Sequence, residues 1–147
     1  MFVGSQNEFS SFKFHELCDN QGCTISVCQS DNGVIFGMYT SVPWQSSGGG
    51  KTVEGANSFL FKFLPDSIVK IAQKHNRSDV WHDSSQLFSN TCGFVIYNQA
   101  HKTENVGAIS VELYEIPQEH HNIDRETYLA GKRKFKISEI EVFQVIS

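Results

Sequence analysis

Residues 23–41 read CTISVCQSDNGVIFGMYTS, and this stretch decides the fold class. Its first half alternates polar or small residues with Ile25 and Val27, which is the period of a β-strand with two different faces. Asn32-Gly33 separates this run from a second extended run, VIFGMYTS. Asn-Gly between two such runs predicts a β-hairpin with a type I′ turn, because both central positions of that turn need a positive φ.

Strand signals recur along the rest of the chain. In residues 58–64, SFLFKFL, three phenylalanines alternate and Pro65 follows. Residues 67–74, SIVKIAQK, fit either a strand or one helical turn. We expect an antiparallel pair from GFVIYNQ (93–99) and GAISVELYEI (107–116), and a terminal strand or bent strand pair from KFKISEIEVFQVI (134–146). The polar stretch 75–91 has no clear period.

One short helix is predicted before the hairpin. The sequence SFKFHELC can form a helix from Ser11, with Ser10 or Ser11 as its N-cap. Phe14, Leu17 and Cys18 would then lie on one side. Asp19-Asn20-Gln21-Gly22 ends the helix before the first strand of the hairpin.

These elements predict a mainly β fold. Six or more strands with turns about every ten residues are typical of a β-sandwich of two antiparallel sheets, here flanked by one or two short helices. Twelve Phe, four Tyr and two Trp against two Met favour a core of aromatic and β-branched side chains. We expect residues 1–147 to form a single domain, because no interior linker or repeat divides the chain.

Charge and hydropathy exclude several classes of function. The net charge is −4 with the two signs interspersed, so no overall field favours nucleic acid or an anionic membrane. The basic cluster Lys132-Arg133-Lys134 leaves nucleic-acid binding as a minor alternative. No apolar run is long enough to span a bilayer, and the N-terminus lacks the pattern of a signal peptide. We therefore expect no membrane insertion and a cytoplasmic location.

The glycine-rich stretch SSGGGKT (46–52) is similar to a phosphate-binding loop but fails two requirements. The motif needs a glycine five positions before Gly50, where the chain has Gln45. The loop must also open a helix, whereas the following residues have the period of a strand. We predict no nucleotide cofactor. Residues 45–57 are expected to form a surface loop, with Trp44 as an interface anchor or as a hydrophobic plug at the end of the sandwich.

Four stretches in order resemble the TLDc domain of the oxidation resistance protein family. They are FHELCDNQGCT (14–24), NGVIFGMYTSVPWQSSGG (32–49), SFLFKF (58–63) and LAGKRKFKISEIEVFQV (129–145). Between 92 and 128 the chain departs from the family pattern: TCGFVIYNQ lacks a Gly-Gly-rich lead-in, and ELYEIPQEHHNIDRETY replaces a stretch that ends in Cys and Phe in many animal members. The closing LAG is more similar to versions found in protists.

The resemblance implies a β-sandwich with short helices and a role in protection against oxidative stress. In several members it also implies binding to the vacuolar proton pump, the V-ATPase. It implies no established reaction. A partner-binding surface on this chain would include Trp44, Gly48, Gly49 and Glu141, the last of which falls in a recurring motif of the family.

A thiol-based site is the alternative. His15 and Cys18 are three residues apart on the predicted helix and Asp19 follows, which are the components of an activated thiolate. Such a site would make the chain an antioxidant enzyme or a redox sensor using Cys18. Against it, all three side chains come from one segment, and the spacing of Cys18, Cys23, Cys28 and Cys92 matches neither a redox pair nor a zinc motif. Small buried thiols and a capping cluster are the competing interpretation.

Two acidic or histidine-containing segments complete the candidates. His120 and His121 have nitrogen donors suited to a metal, but adjacent side chains point apart and a solvated loop is favoured. Glu139 and Glu141 would share one face of the last strand. We predict no metal, and expect Glu141 to contact a partner or to form a buried hydrogen bond with a loop. The leading hypothesis is a non-catalytic interaction module.

Overall fold

The computed structural model describes residues 1–53, 57–74 and 79–146. Within these ranges, twelve strands form two antiparallel sheets, with one α-helix, α1 (Ser11–Cys18), and one 3-10 helix (Gln118–His120). The strands are β1 (Phe2–Val3), β2 (Thr24–Ser30), β3 (Ile35–Thr40), β4 (Lys51–Val53), β5 (Phe59–Phe63), β6 (Ile68–Gln73), β7 (Val80–His82), β8 (Gln86–Asn90), β9 (Phe94–Tyr97), β10 (Val106–Gly107), β11 (Tyr114–Glu115) and β12 (Ile137–Gln144). The predicted mainly β sandwich is confirmed.

The larger sheet has seven strands in the order β1-β12-β2-β3-β5-β6-β11, and the smaller has five in the order β10-β9-β8-β7-β4. Aromatic side chains from both sheets meet between them. The Phe36 ring from β3 contacts Phe94 from β9 at a centroid distance of 6.3 Å and Phe135 at 5.4 Å. Each of these three residues is at most 1% exposed, so the core is aromatic as expected.

The predicted hairpin is confirmed, but its turn differs from expectation. β2 pairs with β3 over six residue pairs. Only Gly33 has a positive φ, 87°, while Asn32 does not. The Gly33 N–H donates to Ser30 O at 2.9 Å, and the Ser30 N–H donates to Val34 O at 3.0 Å. These bonds define a three-residue loop whose last residue, Gly33, has the positive φ. Asn32 therefore does not need a positive φ.

The buried face of β2 is its polar face. Thr24, Ser26 and Cys28 are at most 1% exposed, whereas Ile25 and Val27 are only half-buried. Small side chains at the centre of the sheet leave room for the large rings of the second sheet. The apolar residues of β2 therefore face outward.

Several sequence expectations need correction. Residues 107–116 do not form one strand: β10 ends at Gly107 and β11 begins at Tyr114 in the other sheet, because the Leu113 and Tyr114 amides both donate to Ser110 O and turn the chain. Lys51–Val53 is the edge strand β4, not loop, while residues 54–56 lie outside the described residues. On α1, His15 rather than Leu17 joins Phe14 and Cys18 inside. The ambiguous 67–74 stretch is the strand β6, and β12 has a register shift between Ile137 and Glu139.

Candidate functional site

Helix α1 and its C-cap residue hold the three residues of the alternative thiol site. Ser10 caps the helix by accepting a hydrogen bond from the Lys13 amide at 3.3 Å. The helix presents Phe14, His15 and Cys18 to the interior, and Asp19 follows at its C-terminus. His15 and Asp19 bond to each other, whereas Cys18 is buried in the core.

Both ring nitrogens of His15 are directed to groups other than Cys18. Nδ1 lies 2.7 Å from Asp19 Oδ1, and Nε2 lies 3.0 Å from Asp83 O and 2.9 Å from Gln86 O. Carbonyl oxygens only accept hydrogen bonds, so Nε2 donates and has no lone pair available as a base. His15 therefore ties α1 to the turn between β7 and β8.

The environment of Cys18 disfavours a thiolate. The residue is 0% exposed, and burial raises the pKa of its thiol to about 12, with the N-terminal ammonium acting in the opposite direction. Reactive thiols need a lowered pKa and access to solvent. Burial likewise raises the pKa of Cys28, while Cys23 and Cys92 are half-buried. Within the described ranges all four cysteines are free thiols.

Trp44 is a buried residue at the end of the sandwich. It is 1% exposed, and its ring packs against Phe14, His82 and Phe88 at centroid distances of 5.9, 5.6 and 6.3 Å. Its Nε1 donates to Thr24 Oγ1 at 3.0 Å. Trp44 is therefore the hydrophobic plug, and its interpretation as a surface anchor is wrong.

The glycine-rich loop that follows Trp44 leads into β4 rather than into a helix, which removes the geometry of a phosphate-binding loop. The start of the loop is fixed, because Ser46 Oγ donates to Asp19 Oδ2 at 2.6 Å and the Ser84 amide donates to Ser47 O at 3.0 Å. Gly48 and Gly49 are exposed, and a Cβ on either would have no atom within 4 Å. Both remain accessible to a partner.

An exposed aromatic residue lies beside this loop. Phe12, on the outer side of α1, is 74% exposed. With His15, Glu16, Ser46 and Ser84 it lines a surface depression of about 500 Å³. Phe12 is not among the site residues predicted from the sequence, although its place on the helix, on the side opposite Phe14, indicates an exposed aromatic ring. We call Phe12, Glu16, Ser46, Gly48 and Gly49 the α1–loop surface.

The two glutamates of β12 have different roles. Both point outward, as their spacing predicts. Glu139 accepts hydrogen bonds from the amide and hydroxyl of Ser5 at 2.9 and 2.5 Å. Partial burial acts to raise the Glu139 pKa, but the bonds from Ser5 and the Ile140 amide outweigh it and lower that pKa. Glu141 is exposed and stays a candidate for contact with a partner, whereas the glutamate that bonds to a loop is Glu139.

The chain matches a known protein family over nearly its whole length. A family model described as the TLDc domain matches residues 1–146. The chain belongs to the TLDc family. A comparison with curated proteins found no significant match. The match extends across residues 92–128, where the TLDc sequence pattern is least evident by eye.

The basic cluster of this TLDc chain is neutralised locally. Lys132 Nζ lies 2.9 Å from Asp31, Arg133 Nε lies 2.9 Å from Glu126, and Lys134 Nζ lies 3.5 Å from Glu104. Each cation therefore has a carboxylate beside it, and the cluster does not form the bare positive patch that binds phosphates.

The histidine pair also bonds within the chain. His120 Nδ1 lies 2.9 Å from the Tyr128 hydroxyl, and His121 Nε2 lies 3.1 Å from Ile116 O. In the parts of the chain that the structure describes, no three His, Cys, Asp or Glu side chains are grouped to hold a metal ion. No helix in those parts is long and apolar enough to cross a bilayer.

Proposed function

We propose that this chain is a non-catalytic TLDc interaction module of the cytoplasm, which contributes to protection against oxidative stress by binding a large protein assembly. The V-ATPase is the first candidate, because the family resemblance implies it. One observation carries the non-catalytic part: Cys18, which shares its segment with His15 and Asp19, is 0% exposed, and burial raises the pKa of its thiol to about 12.

The α1–loop surface supports the binding part. An exposed aromatic side chain beside a depression is the kind of feature that supplies most of the energy of an interface. Phe12 has this position, and Gly48 and Gly49 allow a partner backbone to approach closely. Hydrogen bonds from His15 and Ser46 to Asp19 hold the helix and the loop in a fixed relation, which lowers the entropic cost of binding.

Thiol chemistry is tested by alkylation of the folded protein at neutral pH, followed residue by residue by mass spectrometry. We expect Cys18 to react more slowly than the half-buried Cys23 and Cys92, which serve as internal controls. Peroxide consumption should be the same for the wild type and for Cys18→Ala. Faster alkylation of Cys18, or peroxide turnover that Cys18→Ala abolishes, would establish the thiol enzyme instead.

Binding is tested by pull-down of solubilised V-ATPase with tagged protein under native conditions. The wild type should enrich V-ATPase subunits, and Phe12→Ala should reduce that enrichment about tenfold or more. A Gly48→Gln/Gly49→Gln variant should also bind less, while Lys102→Glu, on an exposed turn elsewhere, should bind as the wild type does. If neither V-ATPase subunits nor any other protein is enriched, the interaction-module proposal fails.

A further inference from the structure

The larger sheet has an outward surface of unusual composition. The smaller sheet covers one face of the larger sheet. On the opposite face, the five central strands (β12, β2, β3, β5 and β6) present mostly apolar side chains. Those that are at least 40% exposed are Phe63, Ile68 and Phe143. The half-buried ones are Ile25, Val27, Ile35, Tyr39 and Phe59. We call these eight residues, with Gly37, Phe61, Lys70 and Glu141, the outer face.

The solvent face of an antiparallel sheet is normally polar. Contiguous apolar surface on a folded protein marks an interface. On β2 the apolar residues face outward and the polar residues face inward. The apolar surface therefore continues through the middle of the sheet. The outer face therefore has the composition of a docking surface, on the opposite side of the larger sheet from the core.

Strand register arranges the charges of the outer face in a single row. Glu141 pairs with Val27, Val27 with Gly37, Gly37 with Phe61, and Phe61 with Lys70. The row has an acid at one end, a base at the other, and Gly37 on the central strand β3. Lys70 and Glu141 are both exposed.

This row is complementary to itself. A two-fold axis parallel to β3, between two outer faces, reverses the order of strands in the second copy. Glu141 then lies opposite the partner's Lys70, Val27 lies opposite the partner's Phe61, and Gly37 lies on the axis. A partner with one sign of charge would match only one end of the row.

The neighbouring row follows the same rule. Register joins Phe143, Ile25, Tyr39, Phe59 and Ala72 in that order. The same axis passes through Tyr39 and places Ile25 opposite the partner's Phe59, and Phe143 opposite the partner's Ala72. Away from the axis, each large ring thus meets a smaller side chain, as interdigitated sheets require. On the axis, Tyr39 meets its own copy.

We propose that the outer face binds a second copy of this chain, giving a two-fold dimer in which the two larger sheets pack face to face. An isologous contact of this kind is the commonest form of protein dimer. The charged pairs lie at its edges and its centre is apolar, the usual distribution in an interface. The dimer uses a surface separate from the α1–loop surface and does not depend on the function proposed above.

The size of the face sets the expected affinity. Five strands about 4.8 Å apart and five residues of about 3.3 Å each cover roughly 24 by 16 Å. This footprint, about 380 Å² on each copy, is below the size of a standard specific interface, so we expect a weak and reversible dimer with a Kd in the high micromolar range. Glu139 lies at one border of the outer face. Its carboxylate already accepts hydrogen bonds from Ser5, so it needs no donor from the second copy.

Analytical ultracentrifugation over a micromolar concentration series tests the proposal. The wild type should show a monomer–dimer equilibrium. Lys70→Glu should raise the dimer Kd about tenfold or more, and Glu141→Lys should do the same, because each places two like-charged pairs in the interface. The double variant Lys70→Glu/Glu141→Lys should restore the Kd to within about threefold, since the pairs are exchanged and not lost.

Lys102→Glu is the matched control, because it makes the same change of charge at an exposed turn and should leave the Kd unaltered. Circular dichroism confirms that each variant is folded. A wild type that stays monomeric throughout the series would overturn the proposal. So would a dimer that neither reversal weakens, a double variant no better than the singles, or an outer face that binds another protein while the chain itself remains monomeric.

Discussion

The indole Nε1 of Trp44 donates a hydrogen bond of 3.0 Å to Oγ1 of Thr24, and both residues are at most 1% exposed. This bond joins the segment after β3 to the first core position of β2. The Asn20 amide also donates to Trp44 O at 2.9 Å, so the start of the glycine-rich loop is fixed to the end of α1. The loop is therefore presented from a rigid base.

Replacement of Trp44 by alanine should act on stability. Because the ring fills the end of the core, Trp44→Ala should lower the free energy of unfolding by about 3–5 kcal/mol. Thr24→Val should cost about 1 kcal/mol, since it leaves the indole N–H without an acceptor. Urea denaturation followed by circular dichroism measures both. Phe12→Ala, an exposed aromatic, is the control and should change stability little; a similar loss in Phe12→Ala and Trp44→Ala would contradict the assignment.

The sequence predicted a role for Trp44 but did not decide whether its side chain is exposed or buried. Pro43, Trp44 and the glycines that follow fit a surface anchor and a plug equally well. The plug position depends on Phe14 and Phe88, which are distant in sequence and meet Trp44 only in the folded sandwich. The same limit applied to Glu139, whose Ser5 donors come from the other end of the chain.

Gly37 is required by a close approach within the larger sheet. A Cβ at this position would lie 2.0 Å from Ser26 O and 2.5 Å from the Phe61 ring. Gly37→Ala should therefore lower the free energy of unfolding by about 1–3 kcal/mol. Gly48→Ala is the matched control, because a Cβ there has open space and should be neutral or slightly stabilising. Equal thermal stability of the two variants would show that the crowding at Gly37 is relieved without cost.

Local sequence specified the pairs of strands joined by short turns. The β2–β3 hairpin was predictable because Asn32-Gly33 lies between two extended runs. The assignment of 107–116 to one strand failed because apolar spacing does not reveal the turn at Ser110, which sends β10 and β11 to different sheets. β4 was missed because a three-residue edge strand next to three glycines carries too little pattern.

Glu139 should make stability depend on pH in the acid range. Hydrogen bonds from Ser5 and Ile140 outweigh partial burial and lower its pKa in the folded state. Its contribution is therefore fully present above the ordinary glutamate pKa and is lost as the pH falls through the folded value. Glu139→Gln should therefore reduce the loss of stability on acidification. Parallel acid-unfolding curves for the wild type and Glu139→Gln would contradict this role.

His82 should make stability depend on pH nearer neutrality. It is 0% exposed, and burial lowers its pKa; His15 and Lys51 act in the same direction, and Asp19 opposes them. Since the unfolded chain binds the proton more tightly, the folded state loses stability as the pH falls through the ordinary histidine pKa.

Between about pH 7 and about pH 5, the free energy of unfolding of the wild type should therefore decrease, and His82→Phe should show a smaller decrease. At neutral pH the variant loses the bond that Nδ1 accepts from the Gln45 amide at 3.2 Å, a cost of about 1 kcal/mol. Urea denaturation at both pH values separates the pH-dependent loss of stability from the cost of the lost hydrogen bond. Cys28→Ala, which changes a buried side chain without a titratable ring, is the control. If His82→Phe and the wild type lose the same stability on acidification, His82 is not the group responsible.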